Sequence, residues 1–380
     1  VTAFGEPFIF SVDDHVLEPA NLWYGRLSAK DREVGPRLIV DNEREFWVYE
    51  DVKVDSVGLA AQAGRNPEEW IERRPVPYAE MRKSCYDPVA RVQDMDLDGV
   101  LASMVFPSFP RFCGQAFLEA KDKALALKCV RVWNDWILDE WCASAPGRLV
   151  PIVIVPLWDA ALAAEEVRRT AAKGARAVIF SENIAKLGQP SIHNKDGYWD
   201  GFFATCADLD LPVCMHIGSS SGLIQTSADA PDLITIGIVP LRAQTTLFDL
   251  LLSDLFVKHP TLKVVLSEGG IGWIPYLLER IDQVWASRGG WVHTPMKEPP
   301  SIYFKDHVWG CFIDDQFGAQ NIHHVGIGNV MIEVDYPHGD STFPNSADMA
   351  NKALEHLSAE DRYKVLRGNA ETLFRFTPHL

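Results

Sequence analysis

Eight short apolar runs recur along the 380-residue chain, and stretches patterned as helices lie between most of them. The runs are 7–15 (PFIFSVDDH), 99–107 (GVLASMVFP), 148–156 (RLVPIVIVP), 175–181 (ARAVIFS), 211–216 (LPVCMH), 262–268 (LKVVLSE), 307–314 (HVWGCFID) and 329–335 (NVMIEVD). Several are unbroken in aliphatic residues. A strand with one wet face alternates with period two, so unbroken runs indicate parallel strands buried on both faces. Helical patterns occupy 117–144, 159–174, 240–260 and 273–287. The second opens on Asp159 as an N-cap and stops at Gly174. Leu247, Leu251 and Leu255 form an i, i+4, i+8 stripe that faces a core. The tail 359–376 reads as two short helices around Gly368. This alternation predicts an α/β fold, a (β/α)8 TIM barrel, forming one domain over 1–380.

Residues 20–86 interrupt the pattern with a hairpin over 37–49 and a Pro/Arg-rich stretch over 66–83. They have few aliphatic runs, too few for a core of their own. They read as an excursion after the first strand, a lid or a subunit contact. The aromatics Trp47, Trp70 and Tyr78 ask for a covered surface, so a homodimer is expected.

The remaining composition narrows the function classes. Hydrophobic residues make up 47%, enough for a full core, and the formal charge is −16. That charge excludes the basic footprint of a nucleic-acid binder. No run approaches the ~18 consecutive apolar residues of a membrane span, so no membrane partner is expected. Cys85, Cys113, Cys129, Cys142, Cys206, Cys214 and Cys311 match no zinc-ribbon or redox spacing, which predicts reduced, buried thiols in a cytoplasmic protein.

In such a barrel, chemistry sits at the carboxyl ends of the strands. The first strand ends in Asp13, Asp14 and His15. Residues two apart on a strand face the same way, so Asp13 and His15 point together and Asp14 points away. The fourth strand ends in Ser181, Glu182 and Asn183, the fifth in His216, the sixth in Glu268, and the eighth in Asp335, followed by His338. Each has a bland reading. A histidine after an apolar run can be a bonded core group, Glu268 can favour the N-terminus of the next helix, and Asp335 can open the turn before Pro337. Two imidazoles and three carboxylates at four strand ends are better explained together, as a metal site.

The ordered set DDH, LPVCMH, LSEGGIGWIPYLLERID and EVDYPH, with the tail GNAETLFRF, resembles the amidohydrolase superfamily. It is most similar to the branch of aminocarboxymuconate-semialdehyde decarboxylase and related hydrolases. The resemblance implies a divalent metal held by Asp13, His15, His216, Glu268 and Asp335. Asp13 and Glu268 stand where the family commonly has histidine. One ion, three carboxylates and a hydroxide would sum to −2, whereas a second divalent ion restores neutrality. One or two ions are therefore expected, from iron, zinc or manganese.

Asp335 is expected to accept the proton of a metal-activated water, with Glu268 and His338 as further catalytic groups. Glu182 is a weaker candidate for a bridging ligand. The glycines of GGIGW would allow close approach beneath a substrate; lacking GxGxxG spacing, they form no dinucleotide site. Phe106, Phe109 and Trp273 could line a pocket. The leading expectation is hydrolysis of an ester, thioester or amide, the small-molecule acyl substrate being neutral or carrier-bound, because extra carboxylates would repel an acid substrate. The alternative is non-oxidative decarboxylation of an aromatic or unsaturated acid, with Arg111 or Arg242 receiving the carboxylate.

Overall fold

The structure is a computed structural model that describes residues 8–42, 44–54, 56–65, 75–222, 224–288 and 296–380. Its first strand, β1 (Ile9–Val16), is buried along its whole length. The excursion follows with β2 (Arg37–Asp41), β3 (Arg44–Tyr49) and β4 (Val52–Val54), a three-stranded antiparallel sheet in the order β2-β3-β4. The expected hairpin is present with one further strand. Next come β5 (Val100–Pro107), β6 (Leu149–Val150), β7 (Ile152–Val153), β8 (Ala177–Ser181), β9 (Val213–His216), β10 (Val264–Ser267), β11 (Val308–Phe312) and β12 (Val330–Ile332).

These strands pair in parallel in two sheets, β1-β5-β6 and β12-β11-β10-β9-β8-β7. β6 and β7 flank Pro151, which has no N–H to give a ladder. Just beyond β12, Asp335 N donates to Asp13 O at 2.9 Å and His15 N to Tyr336 O at 2.6 Å. All eight expected strand positions are therefore strands, in an α/β arrangement of parallel strands and intervening helices.

Three helical expectations need correction. The segment 117–144 is divided into Gln115–Glu119 and Lys123–Trp136, then continues in wider and tighter turns to Ser144. The break falls where Glu50 of the excursion accepts the N–H groups of Lys121 and Asp122, and Asp122 then caps the second helix through Leu125 N. The segment 240–260 breaks between Leu241–Leu251 and Leu255–Lys258, where Ser253 Oγ bonds Leu250 O and Leu255 N instead of continuing the ladder. The tail runs helically from Ala359 to Phe374 with no gap at Gly368, where a Cβ would lie 2.6 Å from the Tyr363 ring. That glycine makes room for a ring instead of a turn.

The helical run Asp232–Leu251 is long and apolar enough, by length and composition alone, to cross a membrane. The sequence expectation that nothing approaches a span missed it because Thr235, Arg242 and Gln244 interrupt the apolar residues. Arg242, Ala243, Thr246, Leu247, Leu250 and Leu251 within it are buried in the protein.

The excursion is bound to the main body by aromatic packing. Trp47 lies 5.4 Å from Trp23 and 4.8 Å from Phe109, ring centre to ring centre. Its Nε1 donates to Tyr78 Oη, which donates to Glu18 O. Trp47 and Tyr78 are thus covered within the chain, and Trp70 lies outside the described residues. Trp47 therefore needs no partner subunit to cover it. All seven cysteines are free and buried, as expected of inert thiols.

Candidate metal and substrate site

The end of β1 divides its acidic residues as the two-residue period requires. Asp14 points outward and is fully engaged. Its Oδ1 accepts from Ser11 Oγ and Tyr336 N, both at 3.0 Å, and its Oδ2 accepts from Ser103 Oγ. Beside it the buried Arg91 donates to His15 O at 2.6 Å and to Ser84 O at 2.8 Å, and its guanidinium lies over the Tyr336 ring. These contacts hold the β1 backbone so that Asp13 and His15 face inward. Both Asp13 oxygens are buried, and neither has a hydrogen-bond partner.

Four strand ends converge on this inward face. His216, last in β9, places Nδ1 against Ile217 O, which leaves Nε2 as the lone-pair nitrogen. That Nε2 lies 3.2 Å from His15 Nε2, 3.5 Å from Asp13 Oδ2 and 3.3 Å from Glu268 Oε2. His15 Nε2 lies 3.6 Å from Asp13 Oδ1 and 3.1 Å from Asp335 Oδ1. His338 Nδ1 is 2.9 Å from the same Asp335 oxygen, and its ring stacks on His15 at 3.6 Å.

Glu268 and Asp335 both have φ of 59°, the left-handed region that side chains other than glycine rarely occupy. Such conformations cost about 1–3 kcal/mol and cluster at functional sites. Two triads, Asp13–His15–His216 and His15–Asp335–His338, have ligand-type atoms close enough to hold a cation.

Burial sets the protonation of this cluster. It pushes the Asp13 carboxyl well above its usual range, with Glu333, Asp335 and Glu268 adding to the effect. Glu268 is raised by burial and by Asp335 and Glu333. Burial also lowers His15, aided by His338, and brings His216 down to about 4. For Asp335 burial acts upward, but the neighbouring His338 and His15 outweigh it and hold the carboxyl below its usual range. At neutral pH the two inner imidazoles are neutral, with lone pairs to offer.

His15 and His338 open onto a cavity of about 490 Å³ whose walls come from the excursion and from the segment after β5. Phe109, expected in a pocket, lines it, as does Phe112, which sequence reasoning overlooked. Phe112 stacks on His216 at 4.3 Å with an interplanar angle of 9°. Gly218 permits this, since its φ is 83° and a Cβ there would lie 2.9 Å from the Phe112 ring. Phe106 packs beneath the histidines, 5.1 Å from His216. Trp273 bonds Gly269 O and does not line the cavity.

Other candidates are engaged elsewhere. Glu182 Oε1 accepts from Gly218 N, Ser220 N, Ser220 Oγ and Arg242 Nη1, so it supports the loop after β9 instead of joining either triad. Arg242 is consequently buried in that pair, whereas Arg111 lines the cavity and pairs with Glu119. The GGIGW glycines pack against protein groups. A Cβ on Gly269 would meet Ala243, and Ile271 N and Gly272 N bind Asp315.

The sequence reading also missed Glu333, which is fully buried, accepts Glu268 N at 3.0 Å and leaves Oε1 unpartnered. It stands two residues before Asp335, the same spacing that singled out Asp13 and His15.

The family model described as Amidohydrolase matches residues 40–376. The chain belongs to the amidohydrolase family, and the resemblance read from its strand-end motifs holds. A γ-resorcylate decarboxylase of a Rhizobium species is 26% identical over 299 residues, covering 75% of this chain and 86% of that protein.

Among solved structures, an amidohydrolase from Mycobacterium avium subsp. paratuberculosis superposes with a TM-score of 0.73 at 20% identity, covering 96% of this chain and 99% of that one. A dihydroxybenzoic acid decarboxylase from Polaromonas, with bound manganese and the inhibitor 2-nitroresorcinol, gives 0.61 at 19%, covering 98% of both chains. These likenesses show the fold.

The expectation of acyl hydrolysis, with a carrier-bound thioester among its substrates, is corrected by the relatives, which are named as decarboxylases of aromatic acids. That expectation counted the carboxylates of Asp13 and Glu268 but not His338, an imidazole 2.9 Å from Asp335 at the mouth of the cavity.

Proposed function

We propose that the protein is a metal-dependent, non-oxidative decarboxylase of aromatic carboxylic acids. The observation that carries this reading is the buried His/Asp cluster opening, through His15 and His338, onto a mainly apolar cavity. The decarboxylase relatives support it. Backbone pairing of Asp13 and His15 with Asp335 and Tyr336 supports a barrel closed between β12 and β1.

The residues fit a divalent cation. Two imidazole nitrogens lie 3.2 Å apart beside a buried carboxyl group that has no donor, a cluster of lone pairs that a cation would satisfy. His15, His216, Asp13 and Asp335 would hold it, with Glu268 adjoining His216. Both triads include His15, whose Nε2 faces Asp13, His216 and Asp335 alike and has a single lone pair for a single ion. One ion per chain is therefore the proposed stoichiometry, in place of two. The oxygen-rich donor set suits manganese, the metal bound in the Polaromonas enzyme. The cation supplies positive charge for the substrate's carboxylate.

The reaction breaks the bond between ring and carboxylate, releases CO₂, and puts one proton on the ring carbon. No oxidant or reductant is needed. His338 faces the cavity with its Nδ1 2.9 Å from Asp335 Oδ1, so this pair is placed to supply it. His15, stacked on His338, fixes that ring.

Manganese-loaded protein incubated with hydroxybenzoates in D₂O should release CO₂ and place deuterium at the carbon that lost the carboxylate. Acyl-bond hydrolysis with ¹⁸O incorporation and no CO₂ from any aromatic acid would refute the reading.

A further inference from the structure

The cavity is larger than a single-ring acid needs. At roughly 30 Å³ per water, about 490 Å³ corresponds to around sixteen waters, while a dihydroxybenzoate has about eleven bonded, more tightly packed non-hydrogen atoms. The extra wall is apolar and comes from the excursion. Tyr49, Val52, Val54, Val57 and Ala60 form one side, and Ala116 and Ala120 lie on the segment after β5.

Most polar liners have partners within the protein. Glu50 accepts from Lys121 N and Asp122 N, and Arg111 pairs with Glu119. Apart from His15 and His338, the exceptions are Ser108 and Tyr49, whose Oη is buried on the excursion side with no hydrogen-bond partner. Ser108 Oγ is likewise buried and has no hydrogen-bond partner. The polar groups available to a ligand are thus few, and an apolar surface follows them.

Building on the decarboxylase reading, we propose that the preferred substrate is an aromatic hydroxy acid enlarged by a fused apolar ring, that the excursion selects it by covering that ring, and that Ser108 receives its hydroxyl. Burying the added ring carbons against Val54 and Ala116 favours the larger acid, because each buried methylene-sized group contributes to binding. An excursion that served only as a lid over a single-ring site would leave this volume unfilled.

The test compares 1-hydroxy-2-naphthoate with salicylate, which differ by one fused ring, on manganese-loaded full-length protein. Binding is measured by calorimetry and turnover by CO₂ release. The naphthoate is expected to bind at least tenfold more tightly. V54F and A116L, which fill the wall, should each reduce that ratio at least tenfold. S108A should weaken 1-hydroxy-2-naphthoate more than 2-naphthoate, which has no hydroxyl.

Tight naphthoate binding without CO₂ release keeps the size selection and sinks the decarboxylase reading. CO₂ release from salicylate, with no preference for the naphthoate and no effect of V54F or A116L on the ratio, overturns the size selection and keeps decarboxylation. Failure of both acids to bind overturns the substrate class outright.

Discussion

Asp13 and Asp14 are adjacent in β1 and equally buried, yet they live in opposite surroundings. Asp14 has a donor on both oxygens and pins β1 to β5 and to the segment after β12. Asp13 has no hydrogen-bond donor on either oxygen. Burying a carboxylate without donors is unfavourable, so its retention needs a compensating partner. The outer face of the strand end holds the fold, and the inner face holds an unmet demand for positive charge. A partial form of the contrast separates Glu182, which takes four hydrogen bonds on Oε1 and none on Oε2, from the left-handed Asp335, neither of whose carboxylate oxygens has a hydrogen-bond partner.

The largest expected effect tests the inner face. Asp13→Asn should reduce metal occupancy and lower turnover by about 10³-fold or more, since second-sphere changes alone cost 10–100-fold and this is a proposed ligand. The metal-free variant should keep its fold and melt no lower than the metal-free parent, because a buried unpaired carboxyl has become a neutral amide. Elemental analysis and calorimetric melting check both halves. Full metal occupancy with normal turnover would remove Asp13 from the site.

Asp14→Ala should do the reverse. It strands Ser103 Oγ and Tyr336 N and leaves Arg91 without its neighbouring carboxyl, a loss of about 3 kcal/mol in unfolding free energy. Metal content per folded molecule should stay near that of the parent. Urea denaturation of metal-free protein measures the stability half. An unchanged midpoint would show that the outer network is not what holds β1.

How far the sequence could reveal this contrast depends on which property was local. The i, i+2 spacing was enough to separate Asp13 from Asp14, and apolar run length was enough for all eight strand positions. Helix boundaries were less legible. The stop at residues 120–122 depends on Glu50, about seventy positions earlier in the chain, meeting two N–H groups. Glu333 was passed over because a single acid inside an apolar run resembles an error in the pattern, although its spacing from Asp335 carried the signal. The cavity could not be read at all, because its walls come from 49–60 and 107–120 and are brought together by long-range contacts such as the Trp23–Trp47–Phe109 packing. The hydrolysis expectation failed for a related reason. Strand-end motifs point to a metal cluster compatible with both chemistries, whereas the surroundings that favour one of them are not local in sequence.

A smaller effect is expected where the site is shaped by stacking instead of hydrogen bonds. Gly218→Ala forces a Cβ toward the Phe112 ring at a position whose φ of 83° already disfavours alanine. Displacing Phe112 releases His216 from its stack, and misplacing a reacting group by about 1 Å can cost about 10²-fold in turnover. Circular dichroism should remain that of the parent. A fall in kcat of less than about threefold would mean that the Phe112 stack does not position His216.

The smallest effect concerns Asp98, which shares the engagement of Asp14 but lies away from the cluster. Its oxygens accept from Ser346 N at 2.8 Å and Ser346 Oγ at 2.6 Å, yet burial outweighs these bonds and raises the carboxyl from 3.8 to about 6. The folded chain therefore keeps this proton up to about pH 6, while the unfolded chain releases it near 3.8. Between those values the folded state binds more protons, so this group's contribution to stability falls as pH rises through the window. A difference of about two pKa units corresponds to no more than about 3 kcal/mol. Asp98→Asn, a mimic of the neutral acid, should remove that part of the slope, so that the variant gains on the parent from pH 4 to pH 6 and stays level above it. Urea denaturation of parent and variant at each pH measures the difference. If the variant instead loses ground as pH rises, the Ser346 bonds stabilise a carboxylate more than burial disfavours it, and engagement, not burial, sets the charge of the acids outside the cluster.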